Sequence, residues 1–269
     1  MKNLKLIAGM LVGAWMLSNC SSVPLTGRKR TAWLPESELS AMANEQYAQV
    51  IQQGPISSNT VMTNQVKGVG NRIAVAATKY LTDNGYTDLL ANFNWEFNLI
   101  ESDQVNAWCM PGGKVAFYTG IMPICATDAG VAVVIGHEIA HAIAQHGNER
   151  MTHSLIQQAG AVSLAVAMQE QPQETQAMFF TAYGIGTELG GMLPFSRKHE
   201  SEADELGLIF MAMAGYDPNK APKFWERMAA ASGGEAPPEF LSTHPAHSNR
   251  IKHLNSLIPK ALEYYKPNQ

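Results

Sequence analysis

Read for its hydrophobic and polar positions, the chain is mostly helix with one small patch of strand. Pro35-Glu36-Ser37-Glu38 opens a helix with acids in its first turn, and Gly54-Pro55 stops it near Gln53. Val66, Val69, Ile73 and Ala77 recur at helical spacing and predict a second amphipathic helix from Val61 to Tyr80. Asn94 to Glu101 alternates as a strand does, and Val105 to Met110 with Lys114 to Tyr118 flank Pro111-Gly112-Gly113 as a hairpin would. Asp128 to His146 is rich in Val, Ala and Ile on every side, so it predicts a buried helix. Helical spacing continues near 148–168 and 173–190, and again near 196–214, 218–231 and 246–264. Gly184, Gly186, Gly190, Gly191 and Pro194 interrupt it, predicting a flexible loop over 184–195. No internal repeat or low-complexity tract is present.

Composition narrows the function. With 269 residues, 46% hydrophobic and 16% charged, the chain has enough apolar content to fold around a sizeable core. A formal charge of -4 leaves no basic surface for phosphates, so nucleic acid is not an expected partner. Three cysteines are too few for a disulfide scaffold. Cys109 and Cys125 are either a single bridge or two small core hydrophobes.

The first 20 residues read as an address. Lys2 and Lys5 precede the apolar run Leu6 to Leu17, and Leu17-Ser18-Asn19-Cys20 resembles a bacterial lipobox, in which Cys20 is acylated after removal of a signal peptide, 1–19. That loss takes two lysines and no acids, moving the formal charge from -4 to -6. Ser21 after the cysteine resembles lipoproteins sorted to the outer membrane. The expectation is therefore a bacterial envelope protein on the periplasmic side, held to the membrane by its N-terminal lipid. Residues 20–34, with Arg28-Lys29-Arg30, read as a tether, and 35–265 as one domain. No other stretch reaches the roughly 18 apolar residues that a span requires.

The chemistry is carried by His137-Glu138-Ile139-Ala140-His141. Residues i and i+4 share a helix face, so His137 and His141 can present two imidazoles to one ion. Glu138, about 100° around, can reach a water there without being a ligand. A catalytic zinc wants a third protein ligand. Ala144 and Gly147 stand where the metzincin pattern needs Gly and His, and His146 lies about 140° from His141. The better source is Ser196 to Glu205. Glu200 and Asp204 are i and i+4 there, Ala203 and Gly207 allow close helix approach, and Glu202 points about 200° from Glu200, towards solvent. Asp204 can accept a hydrogen bond from the outer N–H of a ligating imidazole.

HExxH followed by Glu-x-x-x-Asp resembles a gluzincin. Asn106-Ala107 with Pro111-Gly112-Gly113, Ser196-Arg197, and Ser242-Thr243-His244-Pro245 with Arg250-Ile251 make the chain similar to the HtpX/BepA/LoiP-type metallopeptidase family, which includes the CAAX prenyl endopeptidases. It is most similar to compact lipoprotein members such as LoiP. The resemblance implies an α+β, mainly helical zincin-type domain whose small sheet has its edge strand beside the active site. It implies one Zn2+ per chain held by His137, His141 and Glu200, with Glu138 as general base. Asn106, Ala107 and Trp108 would lie on the substrate edge strand. By the same resemblance His244 can approach the zinc, with Arg250 near it, in a regulatory or oxyanion-stabilising role; His247 is a weaker candidate for that role. The implied activity is a metalloendopeptidase that clears unfolded or misassembled envelope polypeptides, with outer-membrane assembly machinery as a further implied partner. The alternative is a zinc-bound chaperone whose proteolysis is latent and gated by His244.

Overall fold

The computed structural model describes residues 20–24, 26–169, 171–188, 192–233, 238–245 and 249–267. The expected signal segment 1–19 and His247 lie outside these residues, as does the side chain of Cys20. The chain divides into two compact units, Met1–Pro35 with Gln145–Ser196, and Glu36–Ala144 with Arg197–Gln269.

In the first unit, β1 (Cys20–Ser22) and β2 (Lys29–Thr31) form an antiparallel pair over the stretch that reads as a tether. It docks on α5 (His146–Met168): Arg28 forks onto Glu149 at 2.6 and 3.0 Å, and Trp33 N–H donates to Thr152 Oγ1. Glu149 is 1% exposed, so this bidentate pair is shielded from screening. α6 (Gln173–Thr187) lies antiparallel to α5. Gly190 and Gly191 lie outside the described residues, but the described part of the expected loop over 184–195 is mostly helical instead, because α6 runs through Gly184 and Gly186, and α7 (Leu193–Met213) has already begun by Pro194. Proline is tolerated there, where the first-turn N–H groups have no helical partner.

The second unit holds α1 (Glu36–Gln53), α2 (Thr60–Asp83), β3 (Glu96–Ile100), β4 (Ala107–Met110), β5 (Lys114–Tyr118), α3 (Met122–Cys125) and α4 (Asp128–Ile143). After the return of α7 follow α8 (Lys220–Ala231), α9 (Glu239–Thr243) and α10 (Arg250–Leu262). The mainly helical α+β architecture with one small sheet is as expected. Asn59 caps α2, its side chain accepting from Met62 N–H, and Val66, Val69, Ile73 and Ala77 form the buried face. The sheet order is β3-β5-β4, with β3 parallel and β4 antiparallel to β5. Gly112 and Gly113 carry the β4–β5 turn at φ +83° and +85°, a region closed to most side chains. β5 is therefore central and β4 is an edge. Thr127 caps α4 through Gly130 N–H, and every residue from Gly130 to Ile143 is buried. That helix ends before His146, since Gln145 adopts a left-handed φ of +58° and turns the chain. Cys109 and Cys125 are both free thiols.

Candidate metal centre

α4 and α7 meet almost backbone to backbone. A Cβ on Gly207 would lie 2.9 Å from His137 N, and one on Gly136 would lie 2.9 Å from Gly207 O. This contact sets the carboxylates of α7 against the imidazoles of α4. His137 and His141 converge with their Nε2 atoms 3.0 Å apart. Glu200 reaches both, with Oε2 3.3 Å from His137 Nε2 and Oε1 3.3 Å from His141 Nε2. His244, just after α9, adds a fourth atom. Its Nδ1 stands 3.1 Å from His137 Nε2 and 3.1 Å from Glu200 Oε1.

These four buried residues offer ligand atoms that all lie within 4.8 Å of one another. Ligands at about 2.0–2.1 Å around a tetrahedral zinc are separated by about 3.3 Å, so the spacings of 3.0 to 3.3 Å match one ion. Charge agrees with geometry. Glu138, Glu200 and Asp204 are three carboxyl groups, each at most 5% exposed, and Arg250 is the guanidinium set among them. A dication offsets the remaining negative charge.

The surrounding side chains orient this set. Asp204 Oδ1 is 3.1 Å from His137 Nδ1, on the side of the ring away from Glu200, and leaves Nε2 free to face the centre. Arg250 donates to Asp204 at 2.7 and 2.9 Å and to Glu200 at 3.1 Å, and its guanidinium lies 3.4 Å from the centroid of Trp225. It also reaches the carbonyls of His244 and Pro245, both at 3.4 Å. With its donors spent on carboxylates and carbonyls, Arg250 is a brace for the segment carrying His244. Glu138 Oε1 sits 3.2 Å from His244 Nε2, yet no aligned hydrogen bond reaches that buried oxygen.

Burial works against charge on His137, but contacts with Asp204 and Glu200 outweigh it and hold its pKa up to about 9. His141, equally buried, is pushed well below the ordinary histidine range by desolvation. Burial would raise Glu200, yet His141 and the imidazole hydrogen bonds hold it far below the usual carboxylate range. Asp204 is likewise lowered against burial, chiefly by Arg250. Burial, with Glu138 nearby, pushes the Cys109 thiol up, so it is no nucleophile.

The residues singled out in the sequence on α4 and α7 thus come together with His244 and Arg250. Ala107 and Trp108 open edge strand β4, which packs on α4, and Asn106 immediately precedes it. Glu202 departs from expectation, being 6% exposed rather than solvated, because α7 is enclosed on nearly every side from His199 to Ala214. Trp225 carries no chemical motif. Only its place in the buried stripe Ala221, Phe224, Trp225 and Met228 hinted that it faces inward.

Comparison with known proteins agrees with this centre. The sequence profile of peptidase family M48 matches residues 65–258. The mitochondrial metalloendopeptidase OMA1 of Schizosaccharomyces pombe is 32% identical over 97% of this chain and 74% of its own length. OMA1 of Saccharomyces cerevisiae is also 32% identical, over 93% and 72%. The beta-barrel assembly-enhancing protease of Escherichia coli K12 is 25% identical over 91% of this chain, which spans about half of that protein. These relatives correct the address read from residues 1–20. The bacterial outer-membrane location is overturned, because the two OMA1 relatives, at 32% identity over 97% and 93% of this chain, are named as mitochondrial enzymes. A short apolar run behind two lysines is common to many targeting segments and does not by itself specify a compartment. With the family profile covering most of the chain and a zinc-sized ligand set at its centre, the protein belongs to peptidase family M48 and is a zinc-dependent metalloendopeptidase.

Proposed function

We propose that the chain hydrolyses peptide bonds in unfolded or misassembled polypeptides, with His137, His141 and Glu200 holding the zinc and Glu138 acting as general base. The observation that carries this reading is the near-tetrahedral ligand set with an unbonded Glu138 oxygen beside it. When bound, zinc supplies a Lewis acid that lowers the pKa of water towards about 7 and polarises a carbonyl. Glu138 takes the proton of the attacking water and delivers it to the leaving amine nitrogen. Asp204 fixes the ring of His137, and Arg250 steadies Asp204 and Glu200 in turn.

Substrate would add to β4 as an extended strand. Tyr118 N–H bonds to Asn106 O, so by antiparallel alternation the main-chain groups of Ala107 and Cys109 point to the open edge. Asn106 Oδ1 accepts from Ala107 N–H at 2.9 Å and must release it when a peptide pairs there. Main-chain pairing tolerates many sequences, which suits a peptidase of unfolded chains.

A second reading is favoured by the seat of His244. Its Nδ1 takes the fourth position of the set, where water would otherwise stand, so the site is latent until His244 withdraws. In the extreme the protein binds unfolded chains and rarely cuts them. The test is degradation of a reduced, unfolded protein by the full chain, Glu138→Gln and His244→Ala, with zinc measured in each. A loss of about 10²- to 10⁴-fold in Glu138→Gln at unchanged zinc is the expected result for a general base. Faster cleavage by His244→Ala marks the histidine as a gate. Binding of unfolded protein with no cleavage by wild type or His244→Ala would replace the protease reading with the chaperone one.

A further inference from the structure

The α5–α6 hairpin is built unlike a water-soluble one. From His153 to Thr187 no described residue is buried, although helices in proteins owe most of their stability to packing one face against the rest of the structure. Eight of the thirteen large apolar side chains exposed among the described residues lie on these two helices. On α5, Met151, Leu155, Val162 and Val166 fall within about 60° of one another. The contacts with α6 are made from the opposite side of α5: Gln157 donates to Thr187 Oγ1 at 2.8 Å, and Tyr183 donates to Gln157 O at 2.9 Å. On α6, Met178 and Ile185 share one face, while Tyr183 and Thr187 look back towards α5. The apolar stripes therefore run along both outer flanks of the hairpin.

The polar groups are equally informative. Residues 159–168 and 177–187 contain no Asp, Glu, Lys, Arg or His. Their polar side chains are four hydroxyls, and each donates to a main-chain carbonyl within the hairpin: Ser163 to Ala159, Thr181 to Ala177, Tyr183 to Gln157 and Thr187 to Tyr183. Such internal satisfaction is what a medium without hydrogen-bonding partners demands. We propose that the α5–α6 hairpin is a membrane-docking element whose occupant is the acyl region of a lipid bilayer. A protein partner, including a second copy of the chain, would cover one flank and leave the other in water. Among the described residues no single helix is long and apolar enough to cross a membrane, and the first turn of α6 carries Glu174. The hairpin thus lies along the interface with its flanks about 5–10 Å deep and the acidic start of α6 at headgroup level. Without Lys or Arg between Met151 and Glu188, its binding owes little to anionic headgroups.

The test is hydrogen exchange of the full chain with and without phosphatidylcholine vesicles, read on the amides of 159–168 and 177–187. At least tenfold slower exchange is expected, unchanged by added phosphatidylserine or by 0.5 M salt (roughly a 4 Å screening length). The double variant Val162→Glu, Ile185→Glu should lose that protection while α4 amides stay as slow as in wild type. Val162→Ser with Ile185→Ser gives a milder version if the glutamates prevent folding. No slowing with vesicles would overturn the proposal. So would slowing that appears without lipid as protein concentration rises, which would assign the flanks to a second copy. Protection only with anionic lipid at low salt would overturn it as well, placing the contact at charged headgroups.

Discussion

The metal centre and the α5–α6 hairpin treat polar groups in opposite ways. Around His137 the chain buries three carboxyl groups, a guanidinium and three imidazoles, and each position is held by others: Asp204 by His137 and Arg250, Arg250 by Trp225, Glu200 by three rings. Such a network tolerates no missing member, because a charge left alone in a poorly solvated site costs far more than the pair contributed. The hairpin carries almost no charge, buries nothing beyond Thr152 and spends its hydroxyls on its own backbone. In the first region geometry is over-determined from inside the protein; in the second the helices await a surrounding. Apolar side chains therefore serve two ends, enclosure of a reactive site and contact with another phase.

Two arginines sharpen that contrast most strongly. Arg250→Leu removes the partner of Asp204 and one donor to Glu200 in a site only 3–5% exposed, so the expected loss is about 3–5 kcal/mol, read as a lowered urea midpoint. Arg150→Leu, on an exposed position at the base of the hairpin, should change stability by less than about 0.5 kcal/mol in the same titration. Similar losses at both positions would mean that the centre is not the over-determined region. A loss of zinc in Arg250→Leu, together with its lower midpoint, would tie the brace to the ligand set.

Much of the centre was legible because its parts obey local periodicity. His137 and His141, then Glu200 and Asp204, are i and i+4 pairs, and helical geometry alone puts each pair on one face. The seat of His244 was not legible from spacing. It depends on α9 bonding back to Val105 through Phe240 N–H and on Arg250 holding the carbonyls of His244 and Pro245, contacts between residues far apart in the chain. Trp225 was silent for the same reason, since an indole in an apolar stripe looks like any core aromatic until a guanidinium lies on its face. The parallel pairing of β3 with β5 was also hidden, because alternation marks a strand but not its neighbour. Periodicity likewise could not distinguish the enclosed α4 from the exposed α5 and α6. All three mix Ala and Gly with larger apolar residues, and only the tertiary structure decides which one the protein covers.

A glycine pair gives the finest version of the comparison. Gly207 sits where α7 touches α4, and a methyl group there would lie 2.9 Å from His137 N and 3.0 Å from Gly136 C. Both are backbone atoms of a buried helix and cannot rotate away, so Gly207→Ala must push the helices apart and move Glu200 from the imidazoles. Overpacking of this kind costs about 1–3 kcal/mol, and zinc affinity should fall with stability. Gly184, inside α6, has nothing within 4 Å of the same position. There alanine removes only the conformational freedom that glycine gives the unfolded chain, and the helix should gain about 0.5–1 kcal/mol, read as slower local amide exchange. The same chemical change thus has opposite signs in the two regions. Were Gly184→Ala destabilising instead, the α6 flank would already be covered by protein, and the picture of a hairpin open on both sides would fail.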